Sequence, residues 1–254
     1  MVPPGACLAP ASAASVKSMR TTPRRLGLLG GITWHSSIEM EREINEGVNA
    51  ALGGSNSGDL VVRSYNFQHI AELQAAGDWG GLGSEFAADA VALQNAGAEA
   101  IMICANTMHK VAPAVEAAID VPLIHMLDAT ADAVLAAGLD TVALLGTGYT
   151  MRDPFYRDHM ATRGITTIAP PEPALSELHE LIYGSLAKGV VPVGARGQVL
   201  AILNPLLAQG AQGMISGCTE IPMVVTQADI EVPYFDSAGL FVDAALKFCL
   251  DDQP

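Results

Sequence analysis

The residues best suited to chemistry lie together in Ser216-Gly217-Cys218-Thr219-Glu220. A thiol, a hydroxyl and a carboxylate occupy three successive positions directly after the apolar pair Met214-Ile215. A thiol with an ordinary pKa of about 8.5 is a usable general acid and base once its neighbours tune it. Two thiols facing each other across a substrate would remove a Cα proton from one face and return it on the other. The carbanion's carboxylate would need hydroxyls, amides and backbone N–H groups around it. Asn106, Thr107, Thr147, Thr150 and Thr219 are the right types for that grip. Glu220 either orients a neighbour or starts a helix.

These residues must be positioned by the elements that precede them. Arg25–Gly31, Asp59–Ser64, Ala100–Ile103, Val121–Ile124, Thr141–Leu145, Met214-Ile215 and Val232–Tyr234 read as strands. Between them, helical spacing runs through Ser36–Leu52, Ser84–Gly97, His109–Ile119, Asp128–Ala137, Glu177–Lys188 and Gly194–Gln209, and Ala238–Leu250 closes the chain. Gly80–Gly83 reads as a loop. Alternation of this kind predicts βαβ units and parallel sheets covered on both faces. In such sheets ligands bind just beyond the carboxyl ends of the strands, where the polar residues above are placed.

The chain also repeats itself. Leu28-Leu-Gly-Gly31 and Leu144-Leu-Gly-Thr147 are strand ends about half a chain apart. Gly97–Thr107 lies without a gap on Gly210–Glu220, which predicts two α/β halves of like plan with polar strand ends facing a shared cleft. In that register Cys218 falls opposite Ala105, and Cys104 falls opposite Gly217. Successive residues of an extended chain point to opposite sides, so Cys104 does not mirror Cys218.

Composition narrows the classes. The 254 residues are 50% apolar and 16% charged, which excludes a disordered chain, and no apolar run is long enough for a bilayer. A net charge of −14 argues against nucleic acid. Cys7, Cys104, Cys218 and Cys249 are widely spaced with no CxxC pair, which argues against a zinc site or disulfides and for a reducing, cytoplasmic setting. Residues 1–24 read as a flexible extension rich in Ala, Pro and Ser, with a transit peptide or initiation at Met19 as alternatives. Gly30-Gly31 lacks GxGxxG spacing and reads as a tight turn leaving room for a ligand. His109 and His125 near strand ends read as capping or solvated residues.

Taken together, Leu28–Trp34, Ile44–Gly47, Cys104–Lys110, Ala143–Met151 and Gly217–Ile221 give the chain a resemblance to the aspartate/glutamate racemase superfamily, in its amino-acid racemase branch. The resemblance spans about Leu26 to Leu250. It implies two pseudo-symmetric Rossmann-like lobes, over 25–121 completed by 231–254 and over 122–230, with the active site in the cleft between them. It implies proton transfer at Cα without PLP or any other cofactor, a small amino-acid or carboxylate substrate, and a homodimer. By position, Cys218 is the catalytic thiol, Asn106, Thr107 and Thr219 hold the α-carboxylate, and Thr147 and Thr150 line the second lobe's side.

One position departs from that pattern. Two-cysteine members carry a cysteine directly before Asn-Thr, where this chain has Ala105. Either Cys104 shifts into reach, or water or a hydroxyl serves that face, or the reaction is one-sided. The leading expectation is a racemase with Cys218 as principal acid/base. The alternatives are a single-cysteine decarboxylase or lyase, or an inactive ligand-binding descendant. The Ser64–Gln68 segment lacks the arginine common in acidic-substrate relatives, and Lys188 lies near the place of a carboxylate-binding lysine.

Overall fold

Arg25–Gly30 is buried at nearly every position, the pattern of a strand covered on both faces. It forms β1 of the computed structural model, which describes residues 20–251. Asp59–Ser64 (β2) pairs with one side of β1 and Ala100–Ile103 (β3) with the other, and Leu123–Ile124 (β4) extends the sheet beyond β3. Thr141–Gly146 (β5) starts a second sheet, flanked by Thr166–Ile168 (β6) and Met214–Gly217 (β7), with Tyr234–Asp236 (β8) outside β7. All pairings are parallel, in the orders β2-β1-β3-β4 and β6-β5-β7-β8. This is the expected α/β architecture of two like lobes.

The sheet register reproduces the sequence repeat. Leu28 lies opposite Met102, and Leu144 lies opposite Ile215, the same pairs that the repeat superimposes. Alternation then sorts the side chains into cores. Leu26, Leu28, Ala100, Met102, Val142, Leu144 and Ile215 face a central core shared by both sheets. Leu29, Ile101 and Ile103 face the first lobe's outer core, and Ala143, Leu145 and Met214 the second's. Helices Met126–Ala136 and Ser237–Leu250 pack together in the central core, and the latter also packs on Trp34–Leu52.

Several expected boundaries move. The lobe division at 121/122 and at 230/231 cuts through the sheets, because β4 belongs with β3 and β8 with β7. Both strands start later than Val121 and Val232 because Pro122 and Pro233 have no N–H and only accept, from Ile101 and Met214 respectively. Only the final helix returns to the first lobe. Gly80–Gly83 is helical rather than a loop, since the Asp78 carboxylate accepts from the Gly81 N–H and starts a helix at Trp79. The segment after Asn106 is a tight turn over Thr107–Val111 followed by a short helix, Ala112–Glu116. Helices Phe67–Ala76, Gly148–Arg152 and Pro154–Thr162 add to the expected elements. Of the expected extension, residues 1–19, including Cys7 and Met19, lie outside the described residues. Arg20 and Arg24 are tied by their backbone N–H groups to the carbonyls of Leu250 and Cys249.

Candidate active site

The four inner strands of the two sheets end around one small cavity that opens to solvent. Ile32 and Thr33 follow β1, Ala105, Asn106 and Thr107 follow β3, Thr147 follows β5, and Gly217–Glu220 lies at the end of β7. The strand-end rule thus places the site without help from any loop insertion.

Cys218 is buried at 5% exposure, and its Sγ donates to Glu220 Oε2 at 3.0 Å. That oxygen also accepts from Thr219 Oγ1 at 2.7 Å, and Oε1 accepts from Thr33 Oγ1 at 2.9 Å. The Ile221 N–H bonds back to the Cys218 carbonyl, a tight turn that brings the thiol and the carboxylate to one side. Burial, and then the charge of Glu220, push the thiol's pKa well above its ordinary value. At neutral pH the thiol therefore keeps its proton, with a carboxylate in place to receive it.

Thr107, Thr147 and Thr150 bring their hydroxyls together, with oxygen separations of 3.0, 3.1 and 3.3 Å. Thr107 and Thr147 line the cavity, whereas Thr150 stands behind them at 1% exposure. Thr147 Oγ1 also caps the next helix by accepting from the Thr150 N–H. Asn106 is fixed differently. Ser237 Oγ spends its only proton on the Ser216 carbonyl at 2.6 Å, so it must accept from Asn106 Nδ2 at 2.8 Å. That assigns the amide orientation and leaves Asn106 Oδ1 buried without a partner.

The two halves differ at the thiol position. Ala105 lines the cavity, while Cys104 is fully buried in the central core beside Met102, with its pKa pushed up to about 12 by burial. Alternation along the strand end turns Cys104 away, as the repeat register requires. Cys104→Ala is therefore expected to leave activity unchanged while lowering stability by about 1 kcal/mol through lost packing, read by denaturant unfolding beside a turnover assay. Cys249 is likewise buried in the central core.

His109 is structural rather than solvated. The Met126 N–H donates to Nε2 at 3.1 Å, so Nδ1 carries the proton and donates to the Ala105 carbonyl at 3.0 Å. Burial holds its pKa well below the usual value, and burial together with His159 lowers His125 to about 4. A depressed folded-state pKa leaves stability intact above the unfolded value of about 6.5 and erodes it as pH falls below. The melting temperature is expected to drop between pH 6.5 and 4.5, and less steeply in His109→Gln. His125, Asp128 and His159 bring ligand-type atoms within 4.8 Å of one another. Asp128 already accepts from Arg163 at 2.9 Å and His125 Nδ1 from the Leu127 N–H, so the group is built as an ion-pair and capping network.

The profile of the Asp/Glu/hydantoin racemase family matches residues 29–245. The chain belongs to this family. A provisionally named Asp/Glu racemase of Yersinia pestis is similar at 41% identity and a TM-score of 0.83, over 89% of this chain and 98% of that one. An aspartate racemase homologue from Pyrococcus horikoshii OT3 is 29% identical with a TM-score of 0.77, over 88% and 98%. The Picrophilus torridus aspartate racemase, at 17% identity and a TM-score of 0.66 over 88% and 93%, shares the fold. No helix among the described residues is long and apolar enough to cross a membrane.

In this racemase-family chain the cavity also takes residues that sequence reasoning missed. Thr33 stands one residue past the apolar Ile32 after β1, and its strand-end position was the available signal. Phe67, Gln74, Ile182, Tyr183 and Ala187 come from helices and turns that fold over the strand ends, and only Phe67, within Ser64–Gln68, and Ala187, beside Lys188, lay near a segment the resemblance marked. Lys188 is exposed, and its neighbour Ala187 lines the cavity instead.

Proposed function

We propose that this chain is a cofactor-independent amino-acid racemase, an isomerase, in which Cys218 is the principal acid and base at Cα. The observation that carries the reading is the Cys218–Glu220 hydrogen bond at the wall of the shared cavity. Thr107 and Thr147 supply hydroxyls for the α-carboxylate, whereas the Thr219 hydroxyl donates to Glu220. Asn106 retains one N–H for the carboxylate and its unpaired Oδ1 for the ammonium. The Cys218 proton passes to Glu220 Oε2, the thiolate takes the Cα proton, and the hydroxyls and Asn106 stabilise the charge that develops. On the opposite face the wall is the Ala105 methyl, so water in the cavity returns the proton there, and protonated Glu220 gives its proton to the hydroxide that remains, which restores the resting site. The cytoplasmic setting and the homodimer belong to the same proposal.

Ala105 supports a second reading. A protonated thiol on one face and a methyl on the other suit one-sided protonation of a carbanion, as in a decarboxylase or lyase. Solvent deuterium exchange at Cα, followed by NMR for each enantiomer of an amino-acid panel, separates the two. Exchange with inversion supports racemisation, and exchange with retention supports a one-base site. An absence of exchange across the panel would overturn the racemase.

A further inference from the structure

One wall of the cavity carries no positive charge. Ile32, Phe67, Ile182 and Ala187 make it apolar, and Gln74 with Tyr183 gives it one neutral polar corner. Gln74 is 3% exposed, with Nε2 against Met108 Sδ at 3.3 Å and Oε1 accepting from Tyr183 OH at 3.3 Å. Among the described residues lining the cavity the only charged side chain is the Glu220 carboxylate. Three further cations are spent on other partners, and Lys188, next to the lining residue Ala187, is exposed and outside the lining. Lys110 pairs with Asp153 and lies over the Trp79 ring, Arg63 pairs with Asp89 and covers Tyr65, and Arg152 pairs with Glu172.

A substrate with a neutral side chain enters as a zwitterion whose ammonium offsets Glu220. A second carboxylate would be desolvated beside Glu220 with no cation to meet it, and like charges in a buried site repel strongly. On the reading of the site as a Cα proton-transfer centre, we propose that its substrate is an amino acid with a small neutral side chain rather than aspartate or glutamate. Gln74 and Tyr183 are the specificity-determining pair. Their amide and phenol favour a side chain that ends in a hydroxyl or an amide over one that ends in a charge.

The test is a competition in D2O, with aspartate, glutamate, asparagine, glutamine, serine, alanine and methionine present together and Cα proton loss read by NMR for each. The expected result is exchange in at least one neutral amino acid, at least 100-fold faster than in aspartate or glutamate. Faster exchange of an acidic amino acid would overturn the substrate class while leaving the proton-transfer reading standing. No exchange in any compound would overturn the proton-transfer reading, and the substrate class with it. Gln74→Lys and, at the half-buried rim, Phe67→Arg are each expected to raise the acidic-to-neutral rate ratio at least tenfold. If both variants melt cooperatively and neither moves the ratio, this wall is not the side-chain subsite. Dependence of aspartate turnover on Lys188, shown by its loss in Lys188→Ala, would also overturn the neutral class.

Discussion

Cys218→Ala is expected to lower turnover by roughly 10²- to 10⁴-fold, the range that a positioned acid–base group contributes. The variant removes the proton carrier and little else. Glu220 keeps its bonds from Thr33 and Thr219, so the carboxylate remains satisfied. The side chain lies at the cavity wall, and the lost packing costs only about 1 kcal/mol. Cys218→Ser adds a useful control. A hydroxyl can still donate to Glu220, yet it is a far weaker acid than a thiol, so turnover stays low while the hydrogen-bond frame persists. Retention of full activity in Cys218→Ala would mean that the proton is carried by another group.

Ala105→Cys is expected to raise racemisation at least tenfold in both directions. Ala105 is the register mate of Cys218 and lies where the first lobe's outer core meets the cavity, at 5% exposure, so an added sulfur has the cavity side to enter. A thiol there replaces solvent as the proton donor on the second face, which raises exchange with inversion relative to exchange with retention. In the double variant Ala105→Cys, Cys218→Ala the stereochemical face of exchange should reverse. Enantiomer ratios followed over time in D2O measure both effects. An unchanged ratio in a folded Ala105→Cys variant would show that Ala105 does not face Cα across the substrate.

The fold was largely legible because its strands are short, apolar and bounded by turn residues. Asp59–Ser64 and Ala100–Ile103 coincide with the expected spans. Boundaries failed where a local rule met a stronger one. Asp78 made a helical turn of a glycine-rich segment, and two prolines delayed β4 and β8. The candidate site was legible as far as residues attached to strand ends. Thr150 shows the limit, since the resemblance made it a lining residue, whereas the folded helix sets it behind Thr147.

What the sequence by itself determined is the pairing of halves. The repeat register placed Ala105, not Cys104, opposite Cys218, because alternation along a strand fixes which side each residue takes. What only the tertiary structure decided is the company the thiol keeps. The turn after β7 joins Cys218 to Glu220, and Thr33, from the other lobe and 187 positions away from Glu220 in sequence, completes the carboxylate's bonds. The neutral wall made by Phe67, Gln74, Ile182 and Tyr183 is also tertiary, since its members come from two helices more than 100 residues apart in sequence. Periodicity shows which face of a helix is apolar. It does not show which cavity that face will meet.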